Sequence, residues 1–162
     1  MSDAHIQTRR LSLVSKTLAE VRAEIAGMDA ELRGQLSSDW LAQLDAPTVD
    51  LWTLGFTIVH RATDSVVGGC GFKGRPGSDG IVEIAYGIAP EQQGKGYATE
   101  AAAALVAFAF DSSEVRIVRA HTFSDVNASA RVLTKCGFLS VGQVIDPEDG
   151  VVWRWETARA PA

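Results

Sequence analysis

Cysteine is scarce in this chain: two in 162 residues, Cys70 and Cys136. Two isolated thiols supply neither a disulfide framework nor the paired spacing of a zinc site, so no metal is expected. Cys136 also precedes a helix C-cap, a poor place to stabilise a thiolate. Histidine is nearly as rare. His5, His60 and His121 stand without a Ser, Cys or ligand pattern around them, and each reads as a surface or core residue. A covalent nucleophile therefore has no support. Positive charge is the minority sign, 15 Lys and Arg against 20 Asp and Glu, for a net charge of −5. With no basic block anywhere, a nucleic-acid partner is not expected. No apolar run approaches the ~20 residues of a membrane span. The start, Met1-Ser2-Asp3-Ala4-His5, lacks the basic-then-apolar pattern of a secretory signal. No membrane partner and a reduced, cytoplasmic setting are the expectation.

What is present is an ordinary globular composition, 46% hydrophobic and 22% charged, over a length that suits one domain. A single domain is expected across 1–162, with its core between about 8 and 157. Residues 8–14 place Leu11 and Leu13 on one face, as in a short edge strand. Thr17 and Glu20 have capping-box spacing. Leu18, Val21, Ile25, Met28, Leu32 and Leu36 follow at helical steps, with Gly27 and Gly34 as points where such a helix breaks or bends. Residues 38–44 read as a second short helix, capped by Ser37 or Ser38 and ended by Pro47. The run from Leu51 to His60 is rich in Trp, Phe, Ile, Val and Thr and reads as a buried strand. Val66 to Lys73 is its partner, where Gly68-Gly69 marks a bulge or a close approach, and Ile81 to Ile88 completes a meander. An Ala-rich helix then reaches about Phe110. A strand over 115–123 follows, then a helix over 125–136 with Gly137 as its left-handed cap. A terminal hairpin pairs 138–144 with 151–156, leaving 157–162 as a tail. The sum is a mixed α/β domain.

Between the third strand and the Ala-rich helix lies Gln93-Gly94-Lys95-Gly96-Tyr97-Ala98-Thr99. Strand, glycine turn and helix start converge backbone N–H groups and the positive end of a helix dipole on one point, which suits a phosphate. A bare Gly-x-Gly is more often only a turn with a close packing contact. Two other phosphate motifs fail here, because Lys95 is followed by Gly96 rather than Ser or Thr, and Thr99 stands where a dinucleotide fingerprint wants a third Gly. Glu83 is the one charge in the strand 81–88. A carboxylate in such a strand is paired, neutral, or facing a cavity. Burial alone would raise its pKa toward the range of a general base. The alternative is a structural ion pair, for instance with Arg116 or Arg119.

Two blocks together resemble the GNAT superfamily of N-acetyltransferases. Pro90-x-x-Gln93-Gly94-Lys95-Gly96-Tyr97-Ala98-Thr99-Glu100-Ala101 looks like its acetyl-CoA signature. Ala128-Ser129-Ala130-Arg131-Val132-Leu133-Thr134-Lys135-Cys136-Gly137-Phe138 is similar to a helix of the branch that includes the ribosomal-protein-alanine N-acetyltransferases. Residues 8–13 and 82–86 look like the first and central strands of that branch. The resemblance implies an α/β fold with a mixed, mostly antiparallel central sheet, flanking helices and acetyl-CoA as co-substrate. It implies that Gln93, Gly94, Lys95, Gly96, Tyr97, Ala98 and Thr99 hold the pyrophosphate. Ile88 would pair with pantetheine and polarise the thioester, and Asn127 would contact the pantetheine arm. Glu83 would be the general base and Ser129 the donor to the leaving thiolate. The implied activity is transfer of an acetyl group to a primary amine, on a protein N-terminus or a small molecule. The competing class is a non-catalytic acyl-CoA-binding or sensing module. The acceptor, the acyl length and the oligomeric state, a homodimer included, stay open.

Overall fold

The computed structural model describes residues 5–36, 38–46, 49–147 and 149–159. Its eight strands form one sheet in the order β1-β2-β3-β4-β5-β6-β8-β7. Every neighbouring pair is antiparallel except β5–β6. The sheet is therefore mixed and mostly antiparallel, with helices flanking it, as the resemblance implies.

β1 (His5–Gln7) and β2 (Leu11–Ser15) make the first hairpin. The segment 8–14, expected at an edge, is thus flanked on both sides, which is why Leu11 and Leu13 are fully buried. Thr17 caps α1 (Leu18–Ala26), its hydroxyl accepting the Glu20 N–H at 3.1 Å. The apolar stripe does not continue as one helix. The chain breaks after Gly27, and Asp29 starts α2 (Ala30–Gly34) by accepting the Leu32 N–H at 2.8 Å. α3 spans Ser38–Leu44; Ser37 and Pro47, expected to cap and end it, lie outside the described residues.

The strand expected over Leu51 to His60 is half wrong. Asp50 accepts the Trp52 N–H and starts the one-turn helix α4 (Leu51–Leu54), and Gly55, at φ 77°, redirects the chain into β3 (Phe56–His60). Local capping at Asp50 prevails over the β-favouring composition. The turn lets Trp52 leave the sheet and pack at a tilt against Phe72 and Phe108, with ring centroids 4.6 and 5.5 Å away. β4 (Ser65–Phe72) and β5 (Ile81–Ile88) complete the meander. The register slips at Ile58/Val59 opposite Gly68, where a Cβ would lie 2.1 Å from the Gly87 carbonyl oxygen. Both readings of Gly68-Gly69 are met at once.

α5 (Tyr97–Asp111) packs Ala101, Ala102, Leu105 and Ala109 fully buried against the sheet. β6 (Ile117–Thr122) lies parallel to β5, and α6 (Ala128–Lys135) is shorter than 125–136 because Asn127 is its N-cap. Gly137, at φ 88°, closes it with Phe138 N–H bonded to the Leu133 carbonyl and Gly137 N–H to that of Thr134. β7 (Leu139–Asp146) and β8 (Gly150–Ala158) form the last hairpin, and β8 lies between β6 and β7. The expected tail thus begins later, since Arg159 still donates its N–H to the Arg116 carbonyl. Among the described residues no helix is long and apolar enough to cross a membrane.

Candidate active site

The parallel ladder between β5 and β6 is short. It runs from Ile81↔Ile117 to Glu83↔Arg119 and then stops, so beyond Glu83 the two strands separate. Backbone alternation says what faces that gap. The Glu83 carbonyl accepts Lys73 N–H and the Ala89 N–H bonds the Val67 carbonyl, so odd-numbered residues of β5 direct their backbone groups toward β4. Tyr86 and Ile88 then direct theirs into the gap. The Gln93 Nε2–H bond to the Ile88 carbonyl, 3.0 Å, confirms the direction for Ile88.

At the mouth of the gap, Pro90–Gln92 makes one 3-10 turn and Gly94 and Gly96 follow, both in the left-handed region (φ 79° and 83°). Gly96 is the N-cap of α5, and no side chain caps that helix. Its first N–H groups therefore point outward without an acceptor, and the dipole adds to them. A cavity of about 480 Å³ runs from this turn along Ile88 to Ser129 and Tyr86, with the cations Arg131 and Lys135 on its α6 wall. Of the sequence-predicted cofactor residues, Ile88, Gln93, Gly94, Gly96, Tyr97, Ala98 and Thr99 line it. Lys95 and Asn127 do not. Lys95 Nζ turns back to Gln92 Oε1 at 3.0 Å, and Asn127 Oδ1 caps α6 by accepting the Ala130 N–H at 2.9 Å.

The turn is held from behind by residues the sequence reading passed over. Arg10 Nη1 donates to the Lys95 carbonyl at 2.9 Å, Arg10 Nε to Glu100 Oε1 at 2.8 Å, and its guanidinium lies 4.8 Å from the Tyr97 ring centroid. Glu100 also accepts the Arg10 N–H and the Thr8 hydroxyl. Burial acts to raise the Glu100 carboxyl, but these donors hold it below the usual carboxylate range.

Glu83 stands where β5 and β6 part. Its Oε2 accepts from His121 Nδ1 at 2.9 Å and from Lys73 Nζ at 3.1 Å. Neither expected arginine is its partner: Arg119 binds Glu156 through Nη2 at 2.6 Å, and Arg116 lays its aliphatic stem beside Gly80. The expected rise of the Glu83 pKa is also reversed. Burial pushes it up, yet the His121 hydrogen bond and the Lys73 ammonium outweigh burial and hold the carboxyl below its usual range. A second cavity of about 190 Å³ joins Glu83 and His121 to Ser129 and Tyr86. A third, about 540 Å³, opens from Glu83 and Tyr86 on the side of the early helices, past Lys16, Asp39 and Trp40. Tyr86 borders all three. Burial pushes its phenol up to about 12, and its hydroxyl donates to the Ser129 carbonyl at 3.3 Å. Ser129 itself lies on the first turn of α6, between the first two cavities. Burial raises both thiols, Cys70 to about 12.

Some of the missed residues had a signal. Arg131 and Lys135 follow Ala128 at steps of three and four and share its face of α6. Arg10, Lys73 and His121 had none, because their partners are distant in sequence.

Fold and site together define a mixed α/β protein with a split sheet and, at the mouth of the split, a glycine turn that leads into a helix start without a side-chain cap. The sequence model of the family described as "Acetyltransferase (GNAT) domain" matches residues 2–139, and the chain belongs to that family. Among curated proteins it is similar to "Uncharacterized N-acetyltransferase YjdG" of Bacillus subtilis (strain 168), 34% identical over 82 residues, 51% of this chain and 49% of that protein. It is similar as well to "Uncharacterized N-acetyltransferase p20" of Bacillus licheniformis, 31% identical over 93 residues, 57% and 52% of the two chains. The chain thus spans about half the length of the curated relatives it matches. Among solved structures it resembles a GNAT-family acetyltransferase from Bacillus anthracis at 18% identity, with a TM-score of 0.68 and coverage of 96% and 98%. The same TM-score and coverage, at 17% identity, relate it to RimL, a ribosomal alpha-N-protein acetyltransferase in complex with coenzyme A. At these identities the likeness is one of fold.

Proposed function

We propose that the chain is an acetyl-CoA-dependent N-acetyltransferase that acts on a primary amine by direct attack. The observation that carries this reading is the position of Glu83. It lies at the end of the β5–β6 ladder, bordering both the gap that leads to the anion-binding turn and the cavity on the other side. Unpaired N–H groups from Gly94 to Thr99 suit the pyrophosphate, with Arg131 and Lys135 adding positive charge along the wall. The backbone edge at Tyr86 and Ile88, where Gln93 occupies the Ile88 carbonyl, suits an extended pantetheine arm as an added half-strand. Asn127, committed to its cap, would serve this site by orienting α6.

In the reaction the amine nitrogen forms a bond to the thioester carbon, the C–S bond breaks, and the thiolate leaves. The Ile88 N–H faces the gap and is suited to the developing oxyanion. An ammonium proton becomes more acidic once the N–C bond forms, and an anionic Glu83 can take it then despite its lowered pKa. The departing thiolate would receive a proton by way of Ser129, beside which Tyr86 keeps its own. Most of the rate gain in this scheme comes from holding the two substrates in line.

The test is thiol release from acetyl-CoA over a panel of amines, with wild type and Glu83→Gln compared across pH. Transfer to at least one amine is expected, with a loss in Glu83→Gln of about a hundredfold or more at neutral pH. The loss should shrink at high pH, where hydroxide can take that proton in place of the carboxylate. Stabilisation by acetyl-CoA without transfer to any amine would favour the binding-module alternative instead.

A further inference from the structure

His121 lies on β6 two residues beyond the last rung of the β5–β6 ladder, opposite Arg154 of β8. Its side chain is only 8% exposed, and both ring nitrogens are engaged. Nδ1 is 2.9 Å from Glu83 Oε2, and Nε2 is 3.1 Å from Arg154 Nε. A guanidinium has donors and no acceptor, so Nε2 must accept and carries no proton. The ring proton therefore sits on Nδ1 and is given to Glu83. Glu83 Oε2 takes both of its donors, His121 and Lys73, while among the described residues no side chain donates to Oε1. Asp149 and Lys73 line the second cavity beside Glu83, and Arg119 and Glu156, two rungs from His121 along the β6–β8 ladder, bind each other.

We propose that His121, locked as the Nδ1–H tautomer by Arg154, is the positioning residue that anchors Glu83 through Oε2 and leaves Oε1 directed to the acceptor nitrogen. The proposal rests on the reading of Glu83 as proton acceptor. Which imidazole nitrogen carries the proton is set by the bond the other one makes. With Nε2–H instead, a lone pair would face the Glu83 carboxylate, repel it, and let it rotate. Arg154 touches neither substrate in this scheme and acts entirely through the ring.

The tautomer can be read directly. In wild-type protein with ¹⁵N-labelled histidine rings at neutral pH, the signal lost in His121→Asn should show Nδ1 protonated and Nε2 bare; the reverse pattern overturns the proposal. In Arg154→Gln the same ring should lose that uniformity. Activity gives the second arm. Asn presents an amide N–H near the place of Nδ1, whereas Gln presents one near Nε2. Loss of a hydrogen bond to a charged group predicts a fall in kcat/KM of about ten- to a hundredfold for His121→Ala, with the acetyl-CoA Kd unchanged. His121→Asn should recover most of it and His121→Gln little. Equal losses in all three variants, or a parallel rise in the acetyl-CoA Kd, would mean a merely structural ring. A fully active Glu83→Gln would bring down the base assignment and this proposal together. An Nε2–H ring with inactive Glu83→Gln would bring down this proposal alone.

Discussion

Glu83 and Glu100 are both largely covered, and burial by itself would raise both carboxyls. Neighbours reverse the sign in each case: His121 and Lys73 for Glu83, Thr8 and Arg10 for Glu100. A folded pKa below the unfolded one means stability that is present above the unfolded carboxylate value and lost as pH falls through the lowered folded values. The protein should therefore be less stable at acid pH, with these two groups among the causes. The same logic makes Lys73 a test of how Glu83 is tuned. Lys73→Met removes one of the two donors, so the Glu83 pKa should rise and the acid side of the kcat/KM profile should move to higher pH. The melting temperature at neutral pH should change little, because the Lys73 side chain is 41% exposed and solvent screens the pair. An acid limb that stays in place would show that Lys73 does not set the charge on Glu83. None of these partners was legible from the sequence. Lys73 is ten positions from Glu83 by number and across a loop, and His121 reaches it only because β6 runs beside β5.

At the scale of elements, the gap depends on how β4 and β5 fit. A Cβ on residue 68 would lie 2.1 Å from the Gly87 carbonyl oxygen, so only glycine lets the two strands fit this closely. The obstacle is backbone, which cannot swing aside. Gly68→Ala should destabilise the protein by about 1–3 kcal/mol, as overpacking generally does. It should also weaken acetyl-CoA binding, since Ile88 is the residue paired with Gly68. Chemical denaturation and calorimetric titration would check the two halves; an unchanged stability would mean that the strands part at no cost. The Gly-Gly signal in β4 was readable because only a missing side chain explains two glycines inside a strand. The helix at Leu51–Leu54 was not readable from composition. Trp, Leu and Thr there look like strand residues, and the decision fell to the Asp50 cap and to Gly55 at positive φ. The first helix, by contrast, broke at one of the two glycines where a break was foreseen, with Asp29 ready to cap the next turn.

Across the whole molecule, the glycine turn and Glu83 occupy opposite ends of the gap. The turn is tied to the N-terminal hairpin through Arg10, while Glu83 is tied to the C-terminal hairpin through His121 and Arg154. Donor binding and chemistry should therefore separate under mutation. At a hundredfold excess of acetyl-CoA over its Kd, linkage gives about 2.7 kcal/mol. For a chain of this size that corresponds to a rise in Tm of about 5–10 °C. Glu83→Gln should show the same rise as wild type while losing turnover. A variant that lost both would place Glu83 in donor binding and contradict the division of labour.

The sequence by itself determined the glycine turn, the helix that follows it, the capped helix carrying Ser129 and the two blocks by which the family is recognised. All of these are local, set by spacing within a dozen or so residues, where glycine geometry, capping and periodicity act directly. Tertiary structure decided which charges meet. It paired Glu83 with Lys73 and His121 rather than with arginines, and lowered a pKa that burial alone would raise. Those outcomes depend on where β5 and β6 cease to pair, and the end of a parallel ladder is fixed by packing between distant segments. That is the physical reason the glycine turn was visible from the chain alone and the environment of Glu83 was not.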